Sequence, residues 1–361
     1  MKKIKILIPL ILMFFLSSCY DRDPIEKLTL ISGAGYDINE TEYTNSIEYL
    51  IFKGNKVVNR EVIKSTGETL YESKNRFLLK TSKENLIGNI RTYIIGEQRA
   101  REGIKDLIDV YIRDYDRRLT PILIVCEGSA DNILRLMPKN SITMGEVIEG
   151  LLETSANSYF FNHKAELKDI IYMYFQEGRR MIIPYIRQVE DRVEVAGLGV
   201  FEEDKLVKVV PLKEAFYTNL LRNDKAVSYI NQLPVTKNQY ISLYGRSKRR
   251  VKVTKENDKI KYNIEVKIKG DIKVDSEHEK IDIDKASIKE IEEQFSRDLE
   301  ANLNNIIYKY QKEDNMDIFD IEKFSHGKFK EKELKELNSS FKDAIVNVNV
   351  RVKVNSTGRL Y

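Results

Sequence analysis

The plainest pattern in the chain lies near its end. Val346, Val348, Val350, Val352 and Val354 alternate with Asn347, Asn349, Arg351, Lys353 and Asn355. Successive side chains of a strand point to opposite faces, so this is a strand with one dry and one wet face. The stretch from Lys261 to Val274 repeats the design. Tyr262, Ile264, Val266, Ile268, Ile272 and Val274 share one parity, and lysines, Asn263, Glu265 and Asp271 fill the other. Gly270 interrupts the apolar series, as a bulge would. Between the two strands the period changes. Ile288, Ile291, Phe295, Leu299, Leu303, Ile306 and Tyr310 recur at three and four residues, the spacing of an amphipathic helix. Ser287 and Glu290 have the spacing of a capping box at its start. The pattern predicts an antiparallel sheet covered by a long helix.

Upstream the patterns are shorter. Leu28–Ile31 begins a first strand that ends at the turn Ser32-Gly33-Ala34-Gly35. Segments 47–52 and 56–63 read as a hairpin across Gly54-Asn55. Residues 68–79 read as a helix, 86–95 as a strand, 97–112 as a helix and 118–126 as a strand, with Ser129 opening a further helix to Met137. Strand and helix in alternation imply a sheet with helices packed on it. Residues 142–152 and 165–175 lean helical. Residues 181–189, 193–201 and 205–209 form a strand group, and Pro211 opens a helix through Leu221. The expected fold class is α+β, in three domains of mixed sheets with packed helices. The expected boundaries are 19–137 for an N-terminal α/β domain, 138–225 for a middle domain and 226–361 for a C-terminal α+β domain.

The first eighteen residues stand apart. A basic start with Lys2, Lys3 and Lys5 precedes an apolar run from Ile6 to Leu16, then Ser17-Ser18-Cys19. These are the parts of a secretory signal peptide. The run is too short for a transmembrane helix of roughly 20 residues. Leu16-Ser17-Ser18-Cys19 resembles the bacterial lipobox, which makes Cys19 the lipid attachment site. Two or more acyl chains anchor firmly where one is marginal. Removing residues 1–18 takes three lysines and no acids, which leaves 57 basic against 56 acidic residues. A net charge of +1 offers no basic field for nucleic acid.

Candidate chemistry is sparse. Cys126 sits in the apolar run Ile122–Cys126 and reads as a small buried hydrophobe. His163, His278 and His326 are far apart in sequence and match no metal spacing. Gly33-Ala34-Gly35 lacks the third glycine of a dinucleotide loop, since position 38 is Ile38. Gly197-Leu198-Gly199 reads as close packing within a strand. Arg113–Arg118 reads as a charged turn and Lys248-Arg249-Arg250 as the polar edge of a strand, with an anion, a partner or anionic lipid as the sharper alternatives. No cofactor, metal or catalytic set is expected.

Several fragments together resemble one family. Cys19-Tyr20-Asp21-Arg22 is similar to its Cys-Trp-Asp-Arg, followed by a strand ending in Gly33-Ala34-Gly35-Tyr36-Asp37. Ile94-Ile95-Gly96-Glu97, Ala100-Arg101-Glu102-Gly103-Ile104, and Arg113-Asp114 with Arg117 follow in order. Gly197–Phe201 with Asp204-Lys205-Leu206-Val207, then Gln311, Asp317-Ile318-Phe319 and Thr357-Gly358, complete the series. Tyr20 stands in place of the usual Trp, and Asp320 in place of the usual Gly. The chain thereby resembles the Ger(x)C family, the C-subunit lipoproteins of spore nutrient-germinant receptors. The resemblance implies a non-enzymatic subunit of three α/β-type domains on the outer face of the spore inner membrane. It also implies partnership with the receptor's A and B subunits. Two rival readings remain open: an extracytoplasmic solute-binding lipoprotein, which predicts a two-lobed cleft, and a hydrolase that joins His326 to acidic residues.

Overall fold

The computed structural model describes residues 28–53, 56–81, 84–86, 89–114, 118–139, 141–159, 165–231, 240–275, 284–337 and 340–357. The signal segment, Cys19, His163, His278, the turn at Gly54-Asn55 and Gly358 lie outside them.

In chain order the first unit runs β1 (Leu28–Asn39), β2 (Glu42–Lys53), β3 (Lys56–Gly67), α1 (Leu70–Leu78), β4 (Glu84–Leu86), β5 (Thr92–Gly96), α2 (Glu97–Glu102), α3 (Lys105–Arg113), β6 (Ile122–Cys126), α4 (Ala130–Arg135), α5 (Met144–Ser155) and α6 (Leu167–Phe175). It continues through β7 (Ile182–Val189), β8 (Arg192–Glu202), β9 (Lys205–Pro211) and α7 (Leu212–Arg222). All nine strands join one mixed sheet, ordered β3-β2-β1-β5-β6-β7-β8-β9 with β4 beside β1. Residue 137 falls in the connection between β6 and β7 of this sheet. The central strands β5 and β6 are buried throughout. Their alternation sorts residues between two cores. Tyr93, Ile95, Leu123 and Val125 pack with α1, α3 and α6, while Ile94, Ile122, Ile124 and Cys126 pack with α4 and α5. A strand buried on both faces reads as an unbroken apolar run, as Ile122–Cys126 does.

The second unit runs β10 (Lys225–Asn231), β11 (Ile241–Glu256), β12 (Lys259–Asp275), α8 (Lys285–Tyr308), α9 (Glu322–His326), α10 (Glu331–Glu336) and β13 (Ile345–Ser356). Its sheet is ordered β10-β11-β12-β13. The parity read from sequence holds: Val348, Val350, Val352 and Val354 are buried, with Phe295, Leu299 and Leu303 of α8 in the same core. The pairing of β12 with β13 is parallel, so the sheet is antiparallel except at this last pair. The cause is the connection itself. A parallel neighbour needs a crossover, and α8 supplies it. The register shifts at Gly270/Asp271, where the bulge is expected. Among the described residues no helix is long and apolar enough to cross a membrane.

Three local expectations change. The strand through Gly33-Ala34-Gly35 does not end there but runs to Asn39, with a register shift between Ile31 and Gly33. The helix read over 97–112 breaks at Gly103, whose φ is +124°. Helix α8 is capped by Asp284, which accepts from Ala286 and Ser287 N–H, and starts three residues before the proposed capping box.

The outer edge of β13 is closed by its own crossover helix. Glu292, Ser296 and Glu300, one turn apart on α8, accept from the backbone N–H of Val354, Val352 and Val350 at 2.8, 3.0 and 3.0 Å. An open edge with free N–H groups is a template for pairing with another chain. Replacing all three residues with Ala should cost about 1–3 kcal/mol of stability and promote self-association. Chemical denaturation and light scattering measure the two effects.

Candidate functional site at the junction of the two sheets

The motif residues picked out in the sequence meet one another in space. Asp37, at the end of β1, accepts from the Ser129 hydroxyl and from the Ala130 and Asp131 N–H groups at 2.8–2.9 Å. It thus caps α4 from a distant strand, where a carboxylate satisfies otherwise unpaired N–H groups. The neighbouring glycines make room. A Cβ on Gly96 would lie 2.0 Å from Asp37 Oδ1, and one on Gly35 would lie 3.0 Å from Ala130 Cβ. Glu97 accepts from the Tyr185 hydroxyl at 2.6 Å and from Arg101.

The break at Gly103 is a second joint. The β8–β9 turn reaches back to it, so that Asp204 accepts from Lys105 N–H through its carboxylate and from Ile104 N–H through its carbonyl, both at 3.0 Å. Any Cβ on Gly103 would strike Asp204 Oδ2 at 2.4 Å. Gly197 likewise lets β8 close on Val210 O. Near the end of α8, Gln311 donates to the Phe341 and Ala344 carbonyls at 2.8 Å, which fixes the start of β13.

The third joint ties the two units together. Asp317 accepts from Phe319, Ile321 and Glu322 N–H at 2.7–2.8 Å and so shapes the loop into α9. Ile318, Phe319 and Ile321 are fully buried, with Phe319 edge-on to Tyr310 at 6.0 Å. Asp320 follows in the left-handed region at φ +60°. Glycine adopts this conformation freely, and Asp more readily than most residues, which accounts for the residue the family usually carries there. Here the carboxylate does more. It takes both arms of Arg179, between α6 and β7, at 2.8 Å each, and Lys323 at 2.5 Å. Arg222 donates to the carbonyls of Ile318 and Arg180. Arg249 donates to the carbonyls of Leu221 and Phe319 and to Asp224.

The electrostatics follow from this placement. Burial opposes ionisation of Asp320, but Arg222, Arg179 and Lys323 outweigh it and hold the carboxyl well below the usual range. Burial, and then the nearby Asp317, push Glu322 up to about 8. Burial also raises Asp317, yet its three N–H donors favour the charged form, so the proton of this pair rests on Glu322.

Two clefts flank the joint. One, of about 310 Å³, is lined by Arg179, Arg180, Glu202, Asp317, Glu322 and His326 among others. The other, of about 410 Å³, is lined by Asp169, Arg179, Arg222, Asp224, Asp320 and Lys323 among others. His326 therefore does meet acidic residues, including Glu177 at 3.8 Å. The adjacent Ser325 hydroxyl is spent on the Glu322 carbonyl and accepts from Tyr262. Among the described residues no three potential ligands gather to hold a metal. Cys126 is fully buried, and burial raises its thiol well above the ordinary value.

The sequence reading missed Arg179, Arg222 and Glu322, and placed Arg249 at a polar edge. Parity carries a signal for Arg249, which shares the inward face of β11 with Ser247 and Val253 and is 4% exposed.

Comparison with known proteins decides the family. Residues 21–188 match the family described as "Spore germination protein N-terminal domain", and residues 196–358 match "Spore germination B3/GerAC like, C-terminal". The chain belongs to the Ger(x)C family of spore germination proteins. It is 22% identical to spore germination protein GerQC of Bacillus cereus, over 97% of each chain. It is 24% identical to the putative spore germination protein YfkR of Bacillus subtilis, over 85% and 84% of the two chains. The crystal structure of the GerBC protein has the same fold, with a TM-score of 0.55 at 17% identity, over 92% of this chain and all of that one.

The family motifs are thus structural joints, and two measurements probe the third. Removing one partner of a buried ion pair costs about 3–5 kcal/mol, so Asp320→Ala and Asp320→Gly should both destabilise the fold. Glycine should lose about 1 kcal/mol less, because it relieves the left-handed strain. Urea unfolding of both variants separates the two effects. Glu322 holds its proton more tightly folded than unfolded. Its contribution to stability is fully present below about pH 4 and is lost as pH rises through about 8. Glu322→Gln should flatten the fall in stability over that range. The difference from wild type is bounded by about 1.4 kcal/mol per pH unit, and unfolding curves at several pH values read it.

Proposed function

We propose that this chain is the C subunit of a nutrient germinant receptor, held by a lipid on Cys19 at the outer face of the spore inner membrane. Its role is assembly with the receptor's A and B membrane subunits, without chemistry of its own. The observation that carries this reading is the use to which the motif residues are put. Among the family-motif residues and their partners, Asp37, Glu97, Arg179, Asp204, Asp317 and Asp320 are spent on intramolecular pairs and caps. What these contacts specify is a set of fixed joints, which suits a subunit that presents a shape to partners.

The lipobox supplies the second support. Eight residues lie between Cys19 and β1, a chain length of at most about 30 Å. Such a leash keeps the N-terminal sheet close to the lipid surface, where integral-membrane partners would meet it.

Deleting the gene should abolish the spore's response to one nutrient and leave other germination routes intact. Cys19→Ala should leave the chain unprocessed or released from membranes and reduce the same response at least tenfold. Membrane fractionation by immunoblot and loss of spore optical density on adding nutrient read the two outcomes. Full membrane retention and a normal response in that variant would overturn the proposal.

A further inference from the structure

A cleft of about 300 Å³ lies where α7 of the first unit meets β10 and α8 of the second. Residues one turn apart line it from both helices: Lys213, Phe216 and Tyr217 on α7, and Phe295, Asp298 and Asn302 on α8. Tyr159 and Tyr229, 42% and 54% exposed, complete the aromatic lining. Phe216 stands nearly at right angles to two of these rings, with centroids 6.4 Å from Tyr159 and 5.0 Å from Tyr217. Edge-on pairs of this kind leave ring faces unstacked.

The polar groups of the lining divide into spent and unspent. The Ser228 hydroxyl donates to backbone carbonyl oxygen, Asn302 Nδ2 donates to the Asp298 carbonyl at 2.8 Å, and Asn231 Oδ1 accepts from the Ser242 hydroxyl at 2.7 Å. Two charges remain. Among the described residues neither the Asp298 carboxylate nor the Lys213 ammonium has a hydrogen-bond or ion-pair partner, and the two do not pair with each other. Asp298 is half-buried. Burial, and then the Asp298 charge, raise the Tyr217 hydroxyl, which sets that carboxylate beside the aromatic lining. One unspent charge of each sign in one cleft is complementary to a ligand that carries both. Aromatic faces attract a cation through the ring quadrupole, and quaternary ammonium heads are bound this way. Such a head has no N–H in need of an acceptor, and the spent side chains offer none.

We propose that this cleft binds a small betaine, a free solute with a quaternary ammonium head beside a carboxylate. The head lies against the tyrosine and phenylalanine rings with Asp298 as its counter-ion, and the carboxylate meets Lys213. The site goes beyond the receptor role proposed above and does not depend on it, since it stands on this chain alone.

Glycine betaine and 3,3-dimethylbutanoate test the site, because they share a shape and a carboxylate and differ in the positive charge. Ligand-observed NMR on the full chain should show betaine binding at least about tenfold more tightly. Choline keeps the head and lacks the carboxylate, so it should bind about threefold to fivefold more weakly than betaine. Asp298→Asn should weaken betaine binding about tenfold and Tyr229→Ala about fivefold. Lys213→Ala should bring betaine down to the level of choline. Asp298 is half-buried and Lys213 and Tyr229 are exposed, so these variants keep the fold. No detectable binding of betaine, equal binding of betaine and 3,3-dimethylbutanoate, or betaine binding unaffected by Asp298→Asn overturns the proposal.

Discussion

The pairing of Arg179 with Asp320 is the interaction on which the relative placement of the two sheets depends. Arg179 leads into the large sheet and Asp320 belongs to the loop into α9, 141 residues later. Around the pair, Arg222 and Arg249 spend their guanidinium groups on carbonyls of Ile318, Phe319, Leu221 and Arg180. Four cations gathered in a partly buried joint would repel one another strongly in a medium of low dielectric. They coexist because Asp317, Asp320 and Asp224 answer the charge, and because backbone carbonyls take the remaining donors. Such a network adds little net stability over apolar packing, but losing one member leaves a buried charge uncompensated. Its contribution is to geometry: it allows one arrangement of the units and penalises others.

The same logic explains why so many motif positions are glycines facing carboxylates. Gly96 faces Asp37, and Gly103 faces Asp204. In each case a carboxylate from one element reaches the N-terminal N–H groups of a helix in another, and the glycine clears its path. A side chain larger than hydrogen would displace the acid and leave helix N–H groups unpaired, so one substitution incurs two costs. Asp320 inverts the arrangement. A residue with a side chain occupies a left-handed position suited to glycine, and its carboxylate gains Arg179 and Lys323 as partners in return.

Much of this fold is legible in the chain. The parity of 261–274 and 346–354, the three-four spacing of 288–310 and the unbroken apolar run at 122–126 each give the right element and, apart from the exposed Val274, the right buried face. These signals are local, because burial imposes its period on neighbouring residues. What stays hidden depends on partners far away in sequence. Nothing near Gly103 announces that Asp204 will split its helix, and nothing near Gly35 shows that α4 holds the strand in line. The parallel pairing of β12 with β13 follows from how a crossover must close, not from either strand's pattern. Arg179 and Glu322 look like ordinary surface residues until the two units are brought together. The family resemblance marked the right positions, Asp37, Gly103, Asp204 and Asp317, but only the contacts show that these are hinge points of packing.

The covered edge of β13 bears on how such a chain can meet a partner. With Val350, Val352 and Val354 N–H already bonded to α8, strand addition at that edge would first have to break three hydrogen bonds and lift a 24-residue helix. Association by that route is therefore unfavourable, and recognition at this end of the molecule must read side chains rather than backbone. The remaining ends of the two sheets are β3, β9 and β10. The β8–β9 turn is bonded to the start of α3, while β3 and β10 stand at the far ends of the two sheets. They belong to different units, and the Arg179–Asp320 joint fixes the distance between them. A partner that engaged both would sense the state of that joint, because any shift of one unit against the other would break its own second contact.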